Sequence, residues 1–417
     1  MEAYQVRGGC PLRGTITIHG AKNSALPILA ATLVTGGRCV LRNCPEISDV
    51  DTAIEILRHL GCDIWRSGDA VSVDTSCACR CDIPSCLMRK MRAAVIFLGA
   101  LLTRFKTAKL SLPGGCALGA RPIDLHLMGL RHMGARTEQN GEDISCSAER
   151  VQGCVIALPF PSVGATENLI LAALGCVGET TICNAAKEPE ITDLIGFLCA
   201  CGAEISGAGS SMLRIRGGVP LHGAAYTVMP DRMEAATYLA AAAATRGNLT
   251  LQRVCPEHLT AVTDVLTRCG CEIVTQGTEM SLRCERLYAA GPVHTAPYDG
   301  FPTDAQAPLM AAMTVAEGIT VFEETIFEDR YRHVPALRAL GARIQATKRY
   351  AIVDGVSCLR GAEVASTDLR GGAAMVIGAL CAQGESLVTQ AEHIERGYAH
   401  FAQTLRRCGA EIERIYD

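Results

Sequence analysis

The sequence predicts an α+β protein of two pseudo-threefold halves, each made of three repeated β-α-β-α-β-β units. Three observations carry this reading. A helix-ending motif recurs six times, a more apolar helical stretch precedes each copy, and short β-rich runs closed by glycine lie between them. The length, 417 residues, fits two or three domains at roughly 150 residues each.

The motif reads Leu-x-x-hydrophobic-Gly-Ala/Cys and begins at Leu57, Leu130, Leu198, Leu266, Leu337 and Leu405. Its glycines, Gly61, Gly134, Gly202, Gly270, Gly341 and Gly409, stand 68 to 73 residues apart. Glycine stops an amphipathic helix there because it takes the left-handed conformation at little cost. A short strand such as Ala-Glu-Ile follows. The apolar helices are predicted over 21–34, 91–104, 163–174, 232–244, 303–316 and 369–381. Ala-rich, charge-poor runs such as "EAATYLAAAAATRG" suit helices buried on all sides. Each unit is twice the size of a ~34-residue solenoid repeat, so the six group as three per half, helices inside and sheets outside. The expected domains are 22–229 and, together, 1–21 and 230–417.

Hydrophobic residues make up 49% of the chain and charged residues 20%, which excludes a disordered or fibrous protein. A net charge of −4 gives no bulk attraction to nucleic acid or anionic membrane. No run of ~18 uncharged apolar residues predicts a membrane-spanning helix, and the amino terminus lacks the signal-peptide pattern. A cytoplasmic location, where thiols are kept reduced, is the expectation, and neither a metal nor a cofactor is expected. Cysteine is abundant, with 22 residues, yet stays below the roughly 8–10% of a disulfide scaffold. Cys77, Cys79, Cys81 and Cys86 lack the second ligand pair of a zinc site. Most cysteines read as small core residues.

Polar residues gather where the apolar helices begin: Lys22 and Asn23, Arg92, Ser162, Asp231, Asp304, and Asp368 with Arg370. Asp and Ser there can be simple caps. Lys22, Arg92 and Arg370 are different, since a cation at a helix start opposes the dipole unless an anion offsets it. The segment "LPGGCALGARPIDLH" places Cys116 and Arg121 in a glycine-rich loop without the P-loop ending. It reads either as a loop offering a reactive thiol beside a guanidinium or as a cysteine in a turn. Arg330 and Arg332 in "FEDRYRH" and Arg396 in "HIERGYAH" read, taken alone, as solvated arginines.

These residues carry a resemblance. "GAKN" from Gly20, "MRAA" from Met91, the Cys116 segment, "SVGAT" from Ser162, "KEPEI" from Lys187, "PDRME" from Pro230, "FPTDAQA" from Phe301, "TDLR" from Thr367 and "ERGY" from Glu395 occur in order from end to end. In this series the chain resembles the UDP-N-acetylglucosamine 1-carboxyvinyltransferase family of enolpyruvyl transferases. The resemblance implies two inside-out α/β barrels with the active site between them, phosphoenolpyruvate and UDP-N-acetylglucosamine as substrates, and a role in peptidoglycan precursor synthesis. It implies Cys116 as the acid that protonates C3 of phosphoenolpyruvate and Asp304 as the base for the sugar hydroxyl. Lys22, Arg121 and Arg396 would hold phosphate, and Arg92 and Arg370 the carboxylate or the closed state. Asn23 and Arg330 would position the sugar, and Ile326 would be a further substrate-binding residue. Arg121, Pro122, Asp124 and Leu125 would frame the uracil, and Ser162, Val163 and Gly164 the diphosphate. For Ser162 a cap, and for Arg330 a surface role, would also suffice.

Two departures stand out. Phe160 occupies a place where some relatives have lysine. Gly371-Gly372 replaces Ala-Ser, which is expected to loosen a helix start. The nearest rival, 5-enolpyruvylshikimate-3-phosphate synthase, shares the fold and cosubstrate, and Cys116 with "ARPIDLH" argues against it. A non-catalytic binding protein built of repeats is the rival of another class.

Overall fold

The computed structural model describes residues 2–112 and 123–416. Six interior helices form where the apolar runs predict them: α1 (Lys22–Thr35), α2 (Phe97–Phe105), α3 (Val163–Ala173), α4 (Arg232–Ala244), α5 (Thr303–Met313) and α6 (Leu369–Leu380). Every residue of α4 is buried, as an alanine-rich helix without a polar face requires. The outer amphipathic helices stop at the six motif glycines, all with φ between 90° and 97°.

Around these helices the described residues form six four-stranded sheets, one per repeat. In the third repeat Val155–Ala157 pairs in parallel with Glu179–Cys183. Met212–Arg216 then pairs antiparallel to that second strand, and Glu204–Ser206 closes the edge. The other five sheets repeat this order. Strands alternate buried and exposed residues, so one face meets the helices and the other meets water.

The chain divides into two compact units. One, over 20–112 and 123–229, packs α1, α2 and α3 against one another. The other, over 2–19 and 230–416, does the same with α4, α5 and α6. Chain order misassigns two strands. Arg13–Thr17, which precedes α1, pairs in parallel with Asn248–Gln252 of the fourth repeat. Ala225–Thr227, which precedes α4, pairs in parallel with Arg38–Arg42 of the first. The chain leaves each unit just after such a strand, so the strand stays in the unit it came from. Glu2–Arg7 likewise completes the sixth sheet, between Glu385–Thr389 and Glu411–Tyr416. Each unit thereby keeps three complete repeats.

The helix predicted over 91–104 is broken. Ser85–Lys90 is a short helix, Met91 is extended, and Arg92–Ile96 is a 3₁₀ turn leading into α2. The cause is a side chain from α3. Asn168 Nδ2 donates to the Val95 carbonyl at 2.9 Å, and Asn168 Oδ1 accepts from the Gly99 amide at 2.5 Å. One carboxamide thus stands in for the Val95–Gly99 helical bond and opens the ladder there. Gly99 permits it, because a Cβ would lie 2.2 Å from the Asn168 carbonyl oxygen.

Asn168→Leu should strand two buried backbone groups at ~1–3 kcal/mol each. Urea unfolding should show a loss of about 2–4 kcal/mol, and a loss under about 0.5 kcal/mol would rule out the bridging role.

Candidate active site

In the first unit Lys22 opens α1 after a close passage of backbone. A Cβ on Gly20 would fall 1.6 Å from the Asn43 carbonyl oxygen, so only glycine lets the chain pass. Lys22 Nζ meets Asp49 Oδ2 at 3.0 Å, with both side chains largely buried. The cation at this helix start is therefore offset in part by a carboxylate of the protein itself. Asn23 follows in the first turn, partly buried. Ser24 donates to Asp193, which also accepts from Tyr226 Oη at 2.7 Å and the Met229 amide at 3.2 Å.

Arg92 sits on the 3₁₀ turn that Asn168 creates. The same Asn168 Nδ2 lies 2.8 Å from His126 Nδ1. With Asn168 donating, Nδ1 accepts and the ring proton resides on Nε2. That edge of the ring reaches the start of α3, for a Cβ on Gly164 would lie 3.4 Å from His126 Cε1. Burial, and then the Arg92 charge, push the His126 pKa down to about 4. Ser162 caps α3 through the Ala165 amide at 3.4 Å, so the capping role is real. Val163 and Gly164 are partly buried. Asp124 begins the helix Asp124–His132 and is exposed, and Leu125 beside it is partly buried. Deeper in α3, burial and then the charges of Glu190 and Glu188 hold Glu167 well above the usual carboxylate range.

In the second unit Asp304, in the first turn of α5, lies between two guanidinium groups. Arg330 Nη2 donates to its Oδ1 and Arg370 Nε to its Oδ2, each at 3.1 Å. Both arginines are almost wholly buried, while Asp304 keeps 30% exposure. The reading of Arg330 as a surface arginine is therefore wrong. Its Nε and Nη2 also hold the Thr303 carbonyl at 3.1 and 2.8 Å, which fixes it under the start of α5. Arg370 lies with its guanidinium carbon 5.2 Å from the Tyr398 ring centre, and Tyr398 Oη is 2.8 Å from Thr237 Oγ1. Arg370 Nη1 is buried with no hydrogen-bond partner among the described residues. An unused donor on a buried cation is where an anion binds favourably.

Asp368 caps α6, accepting from the amides of Arg370 and Gly371 at 3.1 Å each. Gly371-Gly372 does not loosen this helix. A Cβ on Gly372 would sit 2.3 Å from Ser366 Oγ, so glycine is what the close packing needs. Arg396 follows the short helix Glu392–Glu395 and is partly buried. Its neighbour Glu395 is bound by Tyr4 and Arg414. Phe160 is exposed.

Cys116, Arg121 and Pro122 lie outside the described residues. Sequence reasoning missed Asn168, His126, Glu167 and Glu324. Glu324 accepts from Thr303 Oγ1 at 2.9 Å and from the amides of Ile326 and Phe327 at 2.9 and 3.0 Å. A polar residue inside an otherwise apolar run was the available signal for Glu167 and Asn168. Among the described residues, Cys255, Glu257 and His258 form the one trio of metal-type ligand atoms within 4.8 Å of one another. No described helix is long and apolar enough to cross a membrane.

The fold of repeated β-α-β-α-β-β units is one shared with solved enolpyruvyl transferases. The family model for EPSP synthase (3-phosphoshikimate 1-carboxyvinyltransferase) matches residues 6–405. UDP-N-acetylglucosamine 1-carboxyvinyltransferase 2 of Caldanaerobacter subterraneus subsp. tengcongensis is 46% identical over the full length of both chains. The Paramagnetospirillum magneticum UDP-N-acetylglucosamine 1-carboxyvinyltransferase is 44% identical, covering 100% of this chain and 99% of the relative. Among solved structures, the enolpyruvyl transferase NikO from Streptomyces tendae aligns with a TM-score of 0.89 at 26% identity, over 99% of this chain and 98% of that one. EPSP synthase from Acinetobacter baumannii shares the fold over 100% of both chains, with a TM-score of 0.74 at 20% identity. The chain belongs to the UDP-N-acetylglucosamine 1-carboxyvinyltransferase family.

The His126 pKa sets a pH dependence. A histidine kept neutral by folding stabilises fully above the unfolded value near 6.5, and the contribution is lost as pH falls from there toward about 4. Urea unfolding at pH 7.5 and pH 5 should show an acid-side loss on the order of 2 kcal/mol more for the parent than for His126→Gln. Equal losses in the two proteins would contradict a neutral, buried His126.

Proposed function

We propose that the chain transfers the enolpyruvyl group of phosphoenolpyruvate to the 3-hydroxyl of UDP-N-acetylglucosamine, releasing inorganic phosphate, in the synthesis of peptidoglycan precursors. The observation that carries this reading is end-to-end identity of 44–46% with relatives of that name.

In this reading a phosphate and a carboxylate on one small substrate call for several cations and no metal. Lys22, Arg121 and Arg396 take the phosphate, and Arg92 and Arg370 the carboxylate. Cys116 delivers a proton to C3 while the sugar oxygen attacks C2, and Asp304 accepts the hydroxyl proton. The tetrahedral adduct then loses a proton from C3 and expels phosphate. Asn23 and Arg330 position the sugar, and Ile326 is a further substrate-binding residue. Arg121, Pro122, Asp124 and Leu125 frame the uracil, and Ser162, Val163 and Gly164 line the diphosphate.

The geometry around Asp304 adds a condition to this scheme. A carboxylate accepting from two guanidinium groups is a weak base, because both cations favour its ionised form. Arg370, with its unspent Nη1 donor, has reason to turn toward an arriving anion. An anion held on Arg370 then offsets one of the two cations that keep Asp304 ionised.

A phosphate-release assay with phosphoenolpyruvate should give product with UDP-N-acetylglucosamine and none with shikimate 3-phosphate; the reverse pattern overturns the assignment. Asp304→Asn should lower kcat by roughly 10²–10⁴-fold while calorimetry shows the sugar nucleotide still bound. An epoxide phosphonate of the fosfomycin type should add covalently to Cys116, and intact-mass analysis finding the modification elsewhere, or not at all, would remove Cys116 from its role.

A further inference from the structure

The proposed transfer chemistry uses one thiol, and the chain has 22 cysteines. Two others face each other in the fourth repeat. Strands Glu272–Gln276 and Glu279–Arg283 are joined by Gly277-Thr278 and pair from Gln276↔Glu279 out to Glu272↔Arg283. One step further along this register, Cys271 stands directly opposite Cys284. In a hairpin with a two-residue turn the pair flanking the turn is hydrogen-bonded, and the two kinds of pair alternate outward. Glu272↔Arg283 is then hydrogen-bonded and Cys271↔Cys284 is not. Their amides agree, for Cys271 N–H donates to the Leu266 carbonyl at 3.1 Å and Cys284 N–H to the Gly247 carbonyl at 3.0 Å.

Non-hydrogen-bonded cross-strand pairs bring Cα atoms to about 4.5 Å, with both side chains on one face. That spacing lies within the range of about 4.4–6.8 Å that a disulfide spans. Both cysteines lie on the core face with Met280 and Leu282, at 4% and 2% exposure. The same position in the other five repeats is occupied by small side chains. They are Cys62 with Thr75, Ala135 with Ala148, Ala203 with Gly217, Ala342 with Gly355, and Ala410 with Gly8. Among these six equivalent positions, this is the one that pairs two cysteines.

We propose that Cys271 and Cys284 form a dithiol that hydrogen peroxide oxidises reversibly to a disulfide, stapling the open end of this hairpin. Cys284 attacks the peroxide, forming a sulfenic acid and one water. Cys271 then displaces the hydroxyl, forming the S–S bond and a second water, so the two electrons lost by the sulfurs reduce one peroxide. The division of labour follows from surroundings. Cys284 Sγ donates to the Arg286 carbonyl at 3.5 Å, while contact with Cys271, and then the Arg246 charge, hold its thiol below the ordinary pKa, and that contact holds Cys271 above it. A partner thiol in contact also captures the sulfenic acid before irreversible oxidation.

Mapping is clean in a Cys269→Ser background, where trypsin cuts after Arg268 and Arg283 and separates the two cysteines. The full-length protein, treated with peroxide and then alkylated in denaturant, should yield these two peptides joined and roughly 2 Da lighter than their sum. Dithiothreitol should release them. Free, alkylated thiols at both positions after peroxide, or linkage of either to another cysteine, would overturn the proposal.

Discussion

A helix buried on every side can carry charge only near its ends. Three such helices, largely buried, form the interior of each unit, and that constraint sets where charged residues can stand. Lys22, Arg92, Asp304 and Arg370 all stand at or just before an interior helix, where the backbone still has open hydrogen bonds and solvent is close. The sheets outside are amphipathic cover. Repeating one unit three times in each half makes the helix starts recurrent positions, each free to carry a different polar residue.

The cations at these starts do not stand uncompensated. Asp49 meets Lys22, and Asp304 meets both Arg330 and Arg370. Each ion pair keeps a buried charge tolerable in the absence of substrate. In the proposed reaction each also sets a protein carboxylate in competition with an arriving anion for the same cation. Arg370 Nη1, buried and without a hydrogen-bond partner among the described residues, is the donor that the proposal assigns to the anion.

Much of this was legible in sequence. The six helix-stopping glycines, the interior helices and the polar character of their starts follow from local rules: period, propensity and the cost of positive φ. Membership of the family followed from ordered motifs. Other features were not legible, because they depend on residues distant in sequence. Asn168 breaks the helix predicted over 91–104 by reaching across from α3, and no local propensity contains that information. Arg330 looked solvated because its neighbours are polar, yet it is fixed beneath α5 by the Thr303 carbonyl. Gly371-Gly372 looked like a weakness because helix propensity penalises glycine, whereas Ser366 and Ile394 leave no room for a larger residue.

By itself the sequence determined the repeat, the α+β class, the buried helices and the kinds of residue offered to a ligand, all consequences of pattern along the chain. Only the tertiary structure decided which strand completes which sheet and which carboxylate meets which cation. It also decided that Cys271 faces Cys284 while the equivalent positions of other repeats hold smaller or unlike partners. Pairing across space depends on register and on where the chain passes between units, and neither quantity is written in any local stretch of residues.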